Sequence, residues 1–361
     1  MRKILALLLA FVMAAGLVGC TQTESVPETT VPATMAPPEP VKYTIHVLLP
    51  EEQEGWQGMA KQLALEEISA LEAEDAFTVV QSVYGSAEQQ NQILADIAAQ
   101  SSGDGSVGVV LMPMSQEAAP ALEQLLEANV AYALADLVPE GAGAASVANV
   151  TCDQRQIGAA AAAYLVANGL TQDQKVVVIQ GISEEEALRT EGFQLYLQGK
   201  LAYDGVMIET PWDSLDTIVY SDMQGTTQES AATYFETYMS ESDHLSTKYF
   251  AAWEDTYVLG VLDALEGETL SDSAKAKFLE GAPFLTGCGG SQQLADVLAG
   301  TSAYTNAASF GGIQTVIYDA AMLRNALATL ADHFSGQIVE QDQTQSIVWL
   351  TADNAAQHKG Y

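Results

Sequence analysis

The stretch Tyr43-Thr44-Ile45-His46-Val47-Leu48-Leu49 is a short, mainly apolar run that is followed by a polar loop at 50–55. An apolar run of this length, bounded by a turn, is typical of a buried β-strand. Beyond the loop, apolar residues recur at the spacing of helical turns, and they are Ala60, Ala64, Ile68 and Leu71. This spacing places them on one helical face, so this part of the chain predicts a strand followed by a helix.

The alternation of strand and helix continues along the chain. Further strands are predicted at 77–83, 107–112, 130–134, 147–150, 175–180, 206–209, 249–253, 284–287 and 345–350. Helices are predicted between them, and the last long helix is expected to include Val316. Strands that alternate with helices predict parallel sheets covered on both faces. Because the pattern occurs in two successive units of similar size, we predict an α/β fold with two lobes.

The N-terminus has the pattern of an export signal. Met1-Arg2-Lys3 is basic, residues 4–16 are uncharged and mostly aliphatic, and Leu17-Val18-Gly19-Cys20 follows. The layout is that of a secretory signal rather than a membrane span. The junction resembles a bacterial lipobox, which implies a signal peptide at 1–19 and a lipid on Cys20. The alternative is an ordinary signal peptide with an incidental cysteine.

A Thr- and Pro-rich segment at 20–42 is expected to be a disordered tether between the lipid and the body. No other apolar run is long enough to cross a bilayer, because polar residues interrupt them all. The body is therefore expected to lie outside the cytoplasm, with Cys20 as its anchor to the cell membrane.

The composition excludes some partners. The chain carries 13 Lys and Arg against 47 Asp and Glu, a net charge of −34, and such a chain repels the phosphates of nucleic acids. Of three cysteines, Cys152 and Cys288 remain once Cys20 carries lipid. A single disulfide between them is an open alternative to two free thiols, since two cysteines do not make a disulfide framework.

The sequence lacks the common catalytic signatures. Gly-x-Ser-x-Gly, a Walker loop and His-Glu-x-x-His are all absent, and the four histidines are scattered. Catalysis by Cys288 would need a base, which the sequence does not indicate. We therefore expect neither an enzyme nor a metal or other cofactor.

Four stretches together carry a resemblance to a known family. They are Asp136 at the end of the fourth predicted strand, Cys152-Asp153-Gln154-Arg155-Gln156-Ile157-Gly158, Arg189-Thr190-Glu191-Gly192-Phe193, and Glu254-Asp255 with Leu259-Gly260. The second resembles Ser-Asp-Asn-x-x-x-Gly, the third matches Arg-x-x-Gly-Phe, and the fourth resembles Asn-Asp-x-x-Ala-x-Gly. Their order resembles that of type I periplasmic binding proteins, which include ribose- and galactose-binding components of ABC transporters and the sensor domains of LacI-type repressors. The resemblance covers about residues 43–350.

The resemblance implies two Rossmann-like lobes with parallel sheets, joined by three crossover strands, and a ligand in the cleft between them. Lobe 1 is expected at 43–150 plus about 307–337, and lobe 2 at 151–306 plus about 338–361. Arg189 would then offer its guanidinium to ligand oxygens. Asp136 would accept hydrogen bonds, and Trp56 would stack on an apolar ligand face.

The sequence also departs from the family pattern. Met112 stands where the family has an asparagine, Cys288-Gly289 replaces a Phe-Asp pair, Cys152 replaces a serine, and Glu254 stands in place of an amide. We count Met112, Cys152, Glu254 and Cys288 among the expected ligand-binding residues. The departures remove hydroxyl partners, so the expected ligand is sugar-like or less hydroxylated. Asp136 and Glu254 together would also suit an amine.

The sequence-based hypothesis is a monomeric, lipid-anchored solute-binding protein that hands a small ligand to an ABC permease. One alternative is a sensor subunit for an extracytoplasmic receptor or histidine kinase. Another is a cell-surface enzyme on an α/β scaffold.

Overall fold

The computed structural model describes residues 41–51, 55–223 and 225–358, which belong to one compact unit. The expected signal peptide, Cys20 and nearly all of the expected tether lie outside the described residues.

The first part of the chain forms β1 (Tyr43–Pro50), α1 (Gly55–Leu71), β2 (Phe77–Tyr84), α2 (Ala87–Gln100), β3 (Val107–Leu111), α3 (Ala119–Glu127), β4 (Ala131–Ala135) and β5 (Ala148–Thr151). The middle part forms α4 (Gln154–Ala167), β6 (Val176–Ile179), α5 (Glu184–Leu197), β7 (Ile218–Tyr220), α6 (Gln228–Met239), β8 (Tyr249–Ala252), α7 (Asp255–Glu266), α8 (Asp272–Glu280), β9 (Phe284–Cys288), α9 (Gln292–Leu298) and β10 (Gly312–Tyr318). The last part forms α10 (Met322–Phe334), β11 (Asp342–Thr344) and β12 (Ile347–Leu350).

These elements form two sheets, which confirms the predicted α/β class with two lobes. The first sheet has the order β11-β5-β4-β3-β1-β2, and every neighbouring pair in it is parallel. The second has the order β12-β10-β9-β8-β6-β7 and is parallel except for β10 with β12. We call the first sheet with α1, α2, α3 and α10 lobe 1, and the second sheet with α4 to α9 lobe 2.

The chain passes between the lobes three times. The passages follow β5, follow β10, and lie between β11 and β12. The expected division differs from the observed sheets at two places. Residues 312–318 were expected in lobe 1, but β10 pairs with β9 in lobe 2, and residues 342–344 were expected in lobe 2, but β11 pairs with β5 in lobe 1.

Two predicted elements were wrong in detail. Val316 was expected on the last helix but lies in β10, where it pairs with Cys288 on one side and Trp349 on the other. The expected strand at 206–209 forms only an isolated bridge at Val206, and the edge strand is β7 instead. By contrast, the predicted apolar face of α1 is buried against the first sheet, because Ala60, Ala64, Ile68 and Leu71 all belong to one core cluster.

Two buried polar side chains in lobe 2 lack hydrogen-bond partners in the described part of the chain. Thr286 on β9 and Gln314 on β10 are register partners, and both are 0% exposed. The Thr286 hydroxyl and both amide atoms of Gln314 are unpaired. Each buried polar atom without a partner carries a desolvation cost of about 1–3 kcal/mol.

We therefore expect the double substitution Thr286→Val with Gln314→Met to raise the free energy of unfolding by about 1–3 kcal/mol, as measured by urea denaturation. Thr315→Val is the matched control on the same strand. The Thr315 hydroxyl donates to the Asp255 carboxylate at 2.5 Å, so its loss should destabilise the fold. A double variant that is less stable than the parent would contradict this expectation.

Candidate ligand-binding site

Asp136 directly follows β4 at the carboxyl edge of the first sheet. Its φ is +67°, a left-handed conformation that Asp tolerates better than most residues, and its N–H donates to the Val150 carbonyl at 2.9 Å. In an open α/β sheet, ligands bind just outside the carboxyl ends of the strands. The strained backbone thus holds the Asp136 carboxyl where the family resemblance predicts a ligand.

Arg189 on α5 is 4% exposed and is held by three groups of lobe 2. Its Nε donates to Gln154 Oε1 at 2.8 Å, and its Nη1 donates to Glu254 Oε1 at 2.6 Å and to the Trp253 carbonyl. Its Nη2 makes no hydrogen bond to the residues that the structure describes. Nε and Nη1 are therefore tied to the protein, and the two N–H donors of Nη2 have no acceptor among the described residues.

The position of Arg189 depends on a close approach of α4 and α5. A Cβ atom at Gly158 would overlap the Arg189 carbonyl, and one at Gly192 would overlap the Arg155 carbonyl. Only glycine allows the two backbones to lie this close. The same helix pair carries an ion pair between Arg155 and Glu191 at 2.8 Å. The Gly of the Arg-x-x-Gly-Phe motif thus has a packing role, because it determines the position of the Arg189 backbone relative to α4.

Glu254 precedes α7 and forms the ion pair with Arg189 at 2.6 Å. Its side chain is 39% exposed, yet burial raises the pKa of its carboxyl, and Arg189 opposes that shift. The exposure and the raised pKa are compatible, because water can reach a carboxyl that protein atoms otherwise surround. Glu254 therefore neutralises Arg189 instead of offering a free carboxylate to a ligand. This weakens the expectation that Glu254 and Asp136 together bind an amine.

Cys152 follows β5 and Cys288 ends β9, and both are buried free thiols. Burial raises the pKa of Cys152 to about 12 and that of Cys288 well above its ordinary value. The charge of Arg189 acts on both thiols, and that of Asp136 acts on Cys152. Such thiols stay protonated and unreactive at neutral pH. Cys152 lines the interlobe cavity as apolar surface, whereas Cys288 is 1% exposed and lies behind it.

Tyr318 is a residue of the cleft that the sequence analysis missed. It ends β10 at the second passage between the lobes, and its ring lies 5.1 Å from that of Trp56 at an interplanar angle of 41°. Trp56 Nε1 also donates to the Tyr318 carbonyl at 3.4 Å. Burial raises the pKa of Tyr318, and the charges of Asp136 and Arg189 act on it. Tyr318 therefore links Trp56 to the charged residues of the cleft.

Met112 directly follows β3 in lobe 1. It is 5% exposed and belongs to the core of lobe 1. Its carbonyl accepts hydrogen bonds from the Tyr84 hydroxyl at 3.0 Å and from Gln90 Nε2 at 2.8 Å. A ligand contact of Met112 stays a prediction. Asp136, Arg189, Glu254 and Cys288 lie close enough to Tyr318 to act on its pKa, and Cys152 lies close to Asp136 and Arg189.

A cavity of about 310 Å³ opens between the lobes beside Asp136. Its lining comes from both lobes and comprises Gln116, Asp136, Leu137, Val138, Thr151, Cys152, Asp153, Gln154, Arg155, Glu184, Glu185 and Leu188. Burial raises the pKa of Asp136 to about 6, the positive charge of Arg189 opposes this shift, and the negative charge of Glu185 adds to it. The cavity is thus a small interlobe site with a partly desolvated carboxyl.

The described residues contain no group of three or more His, Cys, Asp or Glu side chains that could hold a metal ion. Among the described helices, none combines the length and the apolar character needed to cross a membrane.

A cleft between two α/β lobes, lined at strand ends and crossed three times by the chain, defines a two-lobed ligand-binding protein. The sequence matches the periplasmic binding protein domain over residues 45–337. The chain therefore belongs to the periplasmic binding protein family. This confirms the resemblance found in the sequence. A search of curated proteins gave no match.

Solved structures share the fold at low sequence identity. An ABC transporter solute binding protein from Bacillus halodurans with bound myo-inositol is 15% identical with a TM-score of 0.63, and the match covers 89% of this chain and 98% of that protein. A periplasmic ribose ABC transporter structure from Conexibacter woesei is 16% identical with a TM-score of 0.64, covering 88% and 94%. A putative LacI transcriptional regulator from Bacteroides fragilis is 15% identical with a TM-score of 0.61, covering 88% and 100%.

Proposed function

We propose that this protein is an extracytoplasmic solute-binding protein that captures a small ligand between its lobes and delivers it to an ABC permease. The observation that carries the proposal is the interlobe cavity, which Asp136 lines from lobe 1 and Gln154, the partner of Arg189, lines from lobe 2. The similar proteins include an ABC transporter solute binding protein with bound myo-inositol, which supports a ligand of similar size.

The architecture supports capture by hinge bending. Asp136 and Trp56 belong to lobe 1, whereas Arg189, Glu254 and Cys288 belong to lobe 2. A ligand that contacts both sets binds the closed form more tightly than the open form, and so it shifts the equilibrium towards closure. Delivery then follows from docking of the closed form on the permease, and no bond is made or broken.

The proposal is tested by a thermal-shift screen of the purified protein against sugars, polyols, nucleosides, amino acids and amines, followed by calorimetric titration of each hit. A ligand that binds only the folded state raises the melting temperature. Trp56→Leu should weaken the affinity for a hit about tenfold, because an aromatic contact is lost. Tyr220→Leu on the edge strand β7 is the control and should not change the affinity. Turnover of a compound in the screen, with no stable complex, would contradict the proposal in favour of an enzyme.

We also propose that residues 1–19 are a signal peptide, that 20–42 form the tether and that Cys20 carries lipid. The basic start, the apolar run and the cysteine at the junction support this. Cys20→Ala is expected to move the protein from the membrane fraction to the soluble fraction, as measured by fractionation and immunoblotting. Cys152→Ala, which removes a buried thiol of the body, should leave it in the membrane fraction. Retention of the Cys20→Ala variant on the membrane would refute the lipid anchor.

A further inference from the structure

Asp136 is a cleft carboxylate that Arg189 influences through its charge but that no described residue contacts directly through a side-chain hydrogen bond or ion pair. Its side chain makes no hydrogen bond or ion pair to the described residues, whereas Glu254 holds Arg189 at 2.6 Å. Arg189 and Glu254 cancel each other in formal charge, so the negative charge of Asp136 has no ion-pair partner of its own among the described residues. A desolvated carboxylate without a partner is costly, and a bound ligand is the group that can pair with it.

Among the described residues that line the cavity, no basic side chain is available to pair with Asp136. Among the residues that line the cavity, Asp153, Glu184 and Glu185 are acidic, and Arg155 is the basic one. Arg155 is itself paired with Glu191 at 2.8 Å. An anionic ligand would be repelled here, and a neutral ligand would leave the Asp136 charge in place. A cationic group compensates it.

Tyr318, which lies near Asp136, and Trp56, which packs against Tyr318, suit a cation as well. The rings of Trp56 and Tyr318 lie 5.1 Å apart, and the Tyr318 hydroxyl interacts electrostatically with Asp136. An ammonium group is attracted to the face of Trp and Tyr rings, and the attraction grows when the site is desolvated. A carboxylate near the Tyr318 ring, with Trp56 packed against that ring, therefore favours an ammonium over a hydroxyl.

We propose that the ligand carries a protonated amine that binds Asp136 beside Trp56 and Tyr318, while a ligand oxygen accepts hydrogen bonds from Arg189 Nη2. The inference rests on the proposed solute-binding function and names the ligand class of that same cleft. A charge-assisted hydrogen bond from ammonium to carboxylate is about twice as strong as one between neutral groups. The class therefore comprises amino sugars and small amines that also carry an oxygen acceptor.

The first test compares matched ligands by calorimetric titration at pH 7.5. The probes are glucosamine and galactosamine, their parent hexoses, their N-acetylated forms, and ethanolamine as a minimal amino alcohol. At least one amine should bind at least tenfold more tightly than its uncharged counterpart. If a hexose or an N-acetylated sugar binds as tightly as its amine, or if no amine binds, the inference is overturned. Binding of neutral sugars alone would refute the amine ligand but support the solute-binding function. The absence of any ligand in the wider screen would count against the solute-binding function itself.

The second test uses Asp136→Asn, which removes the charge and keeps the shape. Asn also tolerates the left-handed backbone at this position, so the variant should keep the melting temperature of the parent. The affinity for the amine should fall at least tenfold. Glu123→Gln, which removes one exposed carboxylate on α3 outside the cavity, is the charge-matched control and should stay within threefold of the parent. An Asp136→Asn variant that binds the amine as the parent does would overturn the inference.

The third test is the pH dependence of the affinity. The groups that act on Asp136 are Arg189 and Glu185, and Asp136 in turn acts on Cys152 and Tyr318. The pKa of Asp136 is raised to about 6 in the free protein, so the carboxylate is lost as the pH falls through 6. Amine affinity should therefore fall between pH 7.5 and pH 5 in the parent and stay flat in Asp136→Asn. A flat profile in the parent would refute the role of Asp136.

Discussion

Replacement of Arg189 by methionine is expected to abolish ligand binding and to lower the free energy of unfolding by about 3 kcal/mol. Methionine fills much of the space but leaves Gln154, Glu254 and the Trp253 carbonyl without their donor. A fully buried pair would cost more, but Glu254 is 39% exposed and keeps some water. Urea denaturation measures the loss of stability, and calorimetric titration measures the loss of binding.

Arg155→Met provides the control for this variant. Arg155 forms its ion pair with Glu191 on the same two helices, but the two side chains are 42% and 46% exposed. Exposed ion pairs contribute little, so we expect a change of less than about 1 kcal/mol and an unchanged affinity. If the two arginine variants lose the same stability, burial is not what distinguishes Arg189. If Arg189→Met still binds the ligand, the cleft role of Arg189 is refuted.

The second large effect is expected for Gly192→Ala. Its new methyl group would overlap the Arg155 carbonyl, so α5 must move away from α4. Overpacking of this kind costs about 3 kcal/mol when backbone atoms are in the way. Because α5 carries Arg189, we expect the affinity for the ligand to fall as well. Thermal and urea denaturation, together with calorimetric titration, measure both effects.

Gly281→Ala is the matched control for the helix contact. Gly281 ends α8 with a φ of −71°, and a Cβ there would meet its nearest atom, the Phe278 carbonyl oxygen, at 3.2 Å. We expect this variant to change the stability by less than about 1 kcal/mol and to leave the affinity unchanged. A Gly192→Ala variant with the stability and affinity of the parent would show that the close helix approach does not position Arg189.

The α/β class and the two lobes could be predicted from local pattern alone. The face of α1 shows why, because the spacing of Ala60, Ala64, Ile68 and Leu71 is a property of one helix and does not depend on the rest of the fold. Val316 shows the limit of this approach. It stands four residues before Ala320 and so fits a helical face, but pairing with Cys288 and Trp349 places it in a strand.

The site was predictable in part for a similar reason. Asp136 and Arg189 stand in motifs that local sequence reveals, and the structure places them close enough for their charges to interact. The pairing of Arg189 with Glu254 joins residues 65 positions apart, and only the assembled lobe brings them together. Tyr318 was missed because its strand was taken for a helix. The rule that polar and aromatic side chains follow strand ends would otherwise have identified it.

The three passages between the lobes also determine the order in which the molecule can be completed during synthesis. When β5 leaves the ribosome, lobe 1 still lacks α10 and β11, which lie beyond all of lobe 2 except β12. Leu323, Leu327 and Leu330 of α10 belong to the core of lobe 1, so that core remains open to solvent until the last part of the chain has emerged. The nascent protein therefore exposes a large apolar surface for most of its synthesis, and its first half is the part that needs protection from aggregation.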